Sequence, residues 1–360
     1  MMFQPGLKGV VAVQTAIASV DGDIGELRYR GQLVETVIRG RSFEETAYFL
    51  WHGQWPDDVQ LENLQHQLLS YRKLPAHIVE MAQLLPKETS LMDASRTLVS
   101  AYTHSEFQTL PSAEQAVALT AALPVMTALF YRLQNGQQAL SPRDDLGHTA
   151  NYLWMITGQP PTNGQTQALE TYLKLTMEHG MNASTFAARV TISTESDLVS
   201  AVVSALGTMK GPLHGGAPSG VIDLLDTIQT KDRINAVIAD KLDRGEKIMG
   251  FGHRVYRTED PRSIVLRKKC LELQGEDSWL DLAVAAESHI IKGLNARKPG
   301  RALYTNVEFY AAAIMRSIAM PTQLFTPTFS VARIIGWTAH ALEQQDHNVI
   351  FRPQSEYIGT

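Results

Sequence analysis

The stretch SAEQAVALTAALPVMTALFY (112–131) decides the fold. From position 116 onward it holds no charged residue and is apolar over much of a helix circumference, interrupted by Pro124. Such a helix is buried on all sides, in a core or across a subunit contact. The run 116–131 falls short of the roughly 18 or more uncharged residues expected of a membrane span. Its start, Ser112-Ala-Glu-Gln115, has the spacing of a capping box.

Helix signals spread outward from this run. Ser42-Phe-Glu-Glu45 has the same spacing ahead of Ala47, Tyr48, Phe49 and Leu50. Ile234, Val237, Ile238 and Leu242 share one helical face, and Gly245 supplies the stop. Leu198, Val202 and Ala205 do the same ahead of Gly207. Strand signals are few: residues 7–13 and 27–29 flank the turn DGDIG (21–25) and predict a small hairpin. The sequence therefore predicts a mainly α fold, with no internal repeat, low-complexity tract or long linker.

Composition narrows the function. The chain has 360 residues, 44% hydrophobic and 19% charged, which suits one large globular unit or two domains. Lys+Arg number 32 and Asp+Glu 37, for a net charge of -5. That balance gives no footprint for nucleic acid or an anionic membrane, so any positive site is local. One cysteine, Cys270, excludes an intrachain disulfide and a thiolate metal cage. It reads as a partly buried bystander despite the basic run Arg267-Lys268-Lys269 before it. The first residues lack the pattern of a signal peptide, and the expectation is a soluble, cytoplasmic protein.

Four segments carry candidate chemistry. EHGMNASTF (178–186) reads either as a helix end at Gly180 with a new cap, or as a polar pocket holding His179 and Arg189. GPLHGGA (211–217) surrounds His214 with special backbone, where Gly215 and Gly216 admit a ligand or chain closely. GFGHRVYRTEDPR (250–262) sets His253, Arg254, Arg257 and Arg262 after two glycines. It lacks the third glycine of a dinucleotide fingerprint, and its cationic density suits a small polyanion or a solvated face. In the fourth, Glu308 lies in an apolar neighbourhood where desolvation would make it a base near neutral pH. Arg333, within the apolar helix 329–341, needs an anionic partner. His179, His214 and His253 show no metal-ligand spacing, and no G-x-S-x-G elbow is present, so neither a metal site nor a serine hydrolase is supported.

Taken together, GPLHGGA, GFGHRVYRTEDPR, NVEFY (306–310), LFTPTFSVAR (324–333), GWTAH (336–340) and Arg352-Pro353 resemble citrate synthase, in the family's order and near its spacing. GLKGV (6–10) and LRYRG (27–31) extend the resemblance over nearly the whole chain. The length and the wording of 178–186 are most similar to the short, minor members of Bacillus-type bacteria.

The resemblance implies a homodimer. It implies a large helical domain (1–212 and 318–360) and a smaller mobile one (213–317), with the active site between them. It implies condensation of acetyl-CoA with oxaloacetate to citrate, as in the tricarboxylic acid cycle, with coenzyme A thioester as substrate and no prosthetic group or metal. His214, His253 and Glu308 are then the catalytic residues. Arg262 and Arg333 grip oxaloacetate with His179 assisting, and Arg352 reaches the partner's site. Coenzyme A contacts Ile248, Met249, Gly250, Phe251 and Gly252, with Arg257 and Asn306. Arg297, Lys298 and Arg301 are a further expectation for its phosphates, against a solvated loop. The chain departs from the family at positions 308 and 178, where glutamate stands for the usual aspartate. Such a methylene shift puts rate and acyl preference in question. Two alternatives remain: a 2-methylcitrate synthase using propionyl-CoA, and a non-catalytic paralogue binding coenzyme A or a partner.

Overall fold

The computed structural model describes residues 3–215, 219–253, 255–272, 278–297 and 303–359. It is mainly α-helical, with one small antiparallel sheet among the described residues. Ser112–Gln134 forms one helix through Pro124, with every residue from Ala116 to Phe130 buried. The helix is longer than the apolar run alone and passes the length and composition test for a membrane span. Yet 83% of its most apolar window is buried against other helices, so it is a core helix of this fold. Beside it lies Phe325–Asp346, buried on nearly every face from Phe325 to Ala341. That helix contacts 43–52, 91–100, 112–134, 163–176, 183–192 and 198–209. Its Trp337 indole donates to Ser184 Oγ at 2.9 Å, and the Trp51 indole donates to Thr338 Oγ1 at 2.9 Å.

The helices Ser219–Ile228, Ile234–Asp243, Pro261–Glu272, Ser278–Arg297 and Val307–Ser317 pack on one another. Pro261–Glu272 and Val307–Ser317 also touch Asn163–Thr176, which places the ends of both beside the central helices.

Several local expectations need correction. Residues 7–13 form no strand: Pro5–Leu7 is a 3-10 turn, and Val10 and Val11 are exposed. The hairpin pairs Ala18–Asp21 with Glu26–Tyr29, in the register Ala18↔Tyr29 to Asp21↔Glu26, and Gln32–Leu33 adds a third strand. The turn and second strand stand as read. Ser42 does form the capping box with Glu45, but Ser112 lies inside its helix behind Pro111, which offers no side-chain cap. Gly207 does not end its helix, which runs Leu198–Met209 and buries Ala205, Leu206 and Met209. Gly245 does follow the end of Ile234–Asp243.

Candidate active site

Six of the expected side chains line one cavity of about 420 Å³: His179, His214, His253, Arg262, Glu308 and Arg333. Gly252 and Asn306 line it as well, and Tyr172, Thr176, Leu213, Ala311 and Phe329 supply much of its remaining wall. The residues arrive from separate elements. His179 follows the helix Asn163–Thr176, Arg262 opens Pro261–Glu272, Glu308 opens Val307–Ser317, and Arg333 sits within Phe325–Asp346.

Neighbours assign the imidazole protons. His214 Nε2 lies 2.8 Å from Ser184 Oγ and accepts from the backbone N–H of Ser184 at 3.3 Å; since that N–H can only donate, Nε2 is the acceptor and Nδ1 is left to donate. The N–H groups of Val255 and Tyr256 both donate to His253 Nδ1, at 3.0 and 3.1 Å, which puts that proton on Nε2. His179 Nε2 shares a hydrogen bond with the Tyr256 hydroxyl at 3.0 Å. Burial, reinforced by the Arg333 charge, pushes His214 down to about 4. Burial and Arg262 push His253 down to about 4 against the opposing effect of Asp260. His179 lies well below its ordinary value, through burial first and then Arg262 and Arg333. All three rings are neutral at pH 7.

The two arginines are held differently. Arg262 makes a bidentate pair with Asp260, Nε to Oδ1 at 3.0 Å and Nη2 to Oδ2 at 2.8 Å. Burial opposes its charge, but Asp260 more than offsets this and holds the guanidinium cationic. Asp260 Oδ2 also accepts from the N–H of Val307 at 3.2 Å, tying the arginine to the helix that bears Glu308. Arg333 is 1% exposed; its Nε donates to Thr176 O at 2.7 Å, while Nη2 is buried with no partner among the described residues. Arg333 itself lines the cavity, so its guanidinium is placed to meet an anion there. Burial raises the Glu308 carboxyl; Arg262 partly offsets this and Asp260 adds to it.

Asn306 joins this corner to the 248–252 turn. Its Oδ1 accepts from Glu308 N at 3.0 Å, its Nδ2 donates to Gly252 O at 2.9 Å, and its own N–H donates to Gly250 O at 2.9 Å. Gly250 and Gly252 have φ of 85° and 82°, a conformation that favours glycine and brings the turn against Phe309 and Leu303. Ile248 is buried, Met249 is partly exposed, and Phe251 bridges to Thr305. These residues form one corner, of which Gly252 and Asn306 reach the cavity.

Other expected residues lie elsewhere. Arg257 is 80% exposed and pairs with Asp23 at 3.0 Å. Arg352 is exposed and lines a second cavity of about 900 Å³ with Arg189 and Glu343. Arg189 therefore does not share a pocket with His179, because its guanidinium turns to His340 and Gln344. Arg297 pairs with Asp243 at 2.9 Å. Gly216, Arg254, Lys298 and Arg301 lie outside the described residues. Cys270 is buried, and burial with nearby Glu287 pushes its thiol up to about 12.

Sequence reasoning missed Asp260, Ser184, Tyr256 and Glu178 as site residues. Asp260 had a readable signal, an acid two positions before Arg262. The others act through partners far away in sequence.

Fold and cavity together describe a helical protein that offers a small polyanion two arginines beside imidazoles of fixed tautomer. The family model for the citrate synthase C-terminal domain matches residues 6–354. The chain is 38% identical to a citrate synthase of Haloferax volcanii, over 98% of this chain and 95% of that protein. It is equally identical, at 38%, to citrate synthase 2 of Bacillus subtilis, with the same coverage of 98% and 95%. It is 35% identical to a 2-methylcitrate synthase of Shewanella oneidensis, over 98% and 94%. Among solved structures, citrate synthase from Thermotoga maritima superposes with a TM-score of 0.88 at 37% identity, covering 100% of this chain and 96% of that one. A ternary complex of the Thermoplasma acidophilum citrate synthase with carboxymethyl coenzyme A and oxaloacetate gives 0.90 at 28% identity, covering 100% and 97%. The chain belongs to the citrate synthase family, and its relatives mark it as an enzyme of that type.

Proposed function

We propose that the protein condenses acetyl-CoA with oxaloacetate to give citrate and free coenzyme A. The observation that carries this reading is the meeting of His214, His253 and Glu308 with Arg262 and Arg333 around one cavity. Arg262 and Arg333 bind the oxaloacetate carboxylates, where guanidinium forks match carboxylate geometry, and His179 assists. Glu308 takes a methyl proton from acetyl-CoA while His214 Nδ1–H donates to the thioester oxygen and stabilises the enol(ate). The enol carbon attacks the oxaloacetate ketone, whose oxygen accepts a hydrogen bond from His253 Nε2–H and takes that proton as the C=O π bond breaks; the proton removed by Glu308 balances it and returns to the histidine through solvent. Water then cleaves the citryl thioester, releasing citrate and coenzyme A. Neutral imidazoles suit this work, because each presents one N–H of known position.

The coenzyme binds along the 248–252 turn beside Asn306. Since the Asn306 amide is engaged by Gly252 and Glu308, its part is to hold the turn against the base helix. Residues 213–317 act as the small domain, closing on 1–212 and 318–360. The mutual packing of the helices from 219 to 297 supports that division.

A second reading is favoured by the relative named 2-methylcitrate synthase, which is 35% identical. The choice rests on one methylene of pocket volume, worth about 1–3 kcal/mol. A thiol-release assay with oxaloacetate and either acetyl-CoA or propionyl-CoA tests both. Higher kcat/KM with acetyl-CoA is expected. A propionyl-CoA preference replaces the first reading with the second, and no release from either thioester leaves the non-catalytic paralogue.

A further inference from the structure

The buried carboxylate of Glu178 lies behind the cavity and takes no direct part in the chemistry above. It is 0% exposed, and neither of its oxygens has a well-aligned hydrogen bond among the described residues. Its surroundings are nevertheless shaped for it. Gly336 of the helix Phe325–Asp346 faces it so closely that a Cβ there would lie 2.2 Å from Glu178 Oε2 and 2.5 Å from Met177 O. One turn further on, His340 Nε2 stands 3.2 Å from Glu178 Oε1.

The orientation of His340 is fixed from its other side. Arg189 donates to His340 Nδ1 through Nε at 3.0 Å and Nη2 at 2.8 Å. Nδ1 therefore bears no proton, and Nε2–H faces the carboxylate. Arg189 is itself anchored by Gln344 Oε1 at 2.9 Å and by Glu343.

Arg333 lines the cavity, and Glu178 is not among the lining residues. Burial works against its charge, and Glu178 is the leading group that favours it. The contrast with Arg262 is informative. Asp260 occupies Nε and Nη2 of Arg262, whereas Glu178 faces His340 Nε2 without an aligned hydrogen bond and makes no ion pair with Arg333.

We propose that Glu178 is a positioning residue for substrate recognition: a buried counter-charge, turned toward His340, that offsets Arg333 without pairing with it, so that the guanidinium is left to a substrate carboxylate. This rests on the reading that the cavity takes oxaloacetate. The carboxylate stabilises the empty protein and repels the incoming anion, so removing it has opposite effects on folding and on binding.

Thermal melting of the full-length protein without ligand tests the first effect. Glu178→Gln and Arg333→Met should each lower Tm, and the double variant should lose less than the two single losses combined. Additive losses would overturn the pairing. Calorimetric titration with oxaloacetate tests the second. Glu178→Gln should bind it about 5- to 20-fold more tightly, the scale of one charge about 10–15 Å away at an effective dielectric near 20. Glu178→Asp, which keeps the charge, should stay near the parent. Equal or weaker binding by Glu178→Gln would overturn the proposal, since a merely structural carboxylate would lower Tm and affinity together.

His340→Phe provides an independent sign. The released carboxylate then competes for Arg333 Nη2, and oxaloacetate affinity falls; unchanged or tighter binding counts against the restraint. If the parent protein binds no oxaloacetate, the functional reading fails, while the melting cycle still decides whether Glu178 and Arg333 are coupled.

Discussion

At the scale of single residues, the imidazoles of His214 and His253 reach their tautomers through backbone donors rather than through carboxylates. A carboxylate partner would favour the imidazolium; a backbone N–H donor favours the neutral ring. With both rings held at about 4, their protonation lies well below neutral pH. Glu308 is shifted the other way, upward, by burial. The base must be ionised, so kcat/KM should fall with decreasing pH through the raised value of Glu308, before either histidine titrates. An acid limb at the ordinary carboxylate position would remove that assignment. Glu308→Gln should lower kcat by about 10²–10⁴-fold, the usual worth of a positioned base. Oxaloacetate binding should persist, because Arg262 and Arg333 are untouched. Calorimetry beside single-turnover measurements separates the two effects, and substantial turnover by the variant would exclude Glu308 as the base.

At the scale of elements, the helix His148–Thr157 starts on a residue that links burial to pH. The His148 ring stacks on Phe43 at 4.3 Å and 8°, and neither ring nitrogen has a partner among the described residues. Burial first, and then Arg72, lowers it to about 3. A histidine depressed in the folded state leaves stability intact above its unfolded value and removes it as pH falls toward the folded one. Between pH 7 and 5 this group alone should cost about 2 kcal/mol, taking an unfolded value near 6.5. His148→Phe keeps the stack and should flatten the decline. Urea unfolding of both proteins at pH 7 and pH 5 measures it, and equal declines would show that His148 does not titrate this way. Long apolar helices such as Ser112–Gln134 were legible in the sequence because burial on all sides leaves no other pattern. The first strand was not. Ala18–Asp21 is short and half-exposed, and its pairing with Glu26–Tyr29 defines it, whereas the more apolar 7–13 has no ladder partner. Gly207 misled for a related reason: packing carries Leu198–Met209 past a residue whose propensity is to stop it. The histidines and arginines of the site were legible through linear motifs. Ser184, Tyr256 and Glu178 were not, since each acts on a partner 30 to 162 positions away that only the fold brings near.

At the scale of the whole molecule, one chain leaves its C-terminal segment uncovered. Val349, Ile350, Tyr357 and Ile358 are 75%, 55%, 85% and 91% exposed, and Arg352 between them does not line the 420 Å³ cavity of its own chain. A second copy would cover such residues, and the family resemblance gives Arg352 to the partner's site. That arrangement would make each site a composite of two chains. Arg352→Ala should then weaken oxaloacetate binding although the residue is remote from the cavity within its own chain. Mixing gives a sharper outcome. In a dimer of one Glu308→Gln chain and one Arg352→Ala chain, the site on the first lacks both groups. The site on the second keeps its own Glu308 and receives Arg352 from the first, so it is intact. Random reassembly of equal amounts makes half the dimers mixed, and about a quarter of all sites become active, as closed twofold symmetry requires. At oxaloacetate concentrations too low to saturate Arg352→Ala, two poorly active proteins should therefore regain about a quarter of the parent's activity after co-refolding. If Arg352 serves its own chain, or no site at all, the mixture shows only the mean of the two variants, and the shared site is excluded.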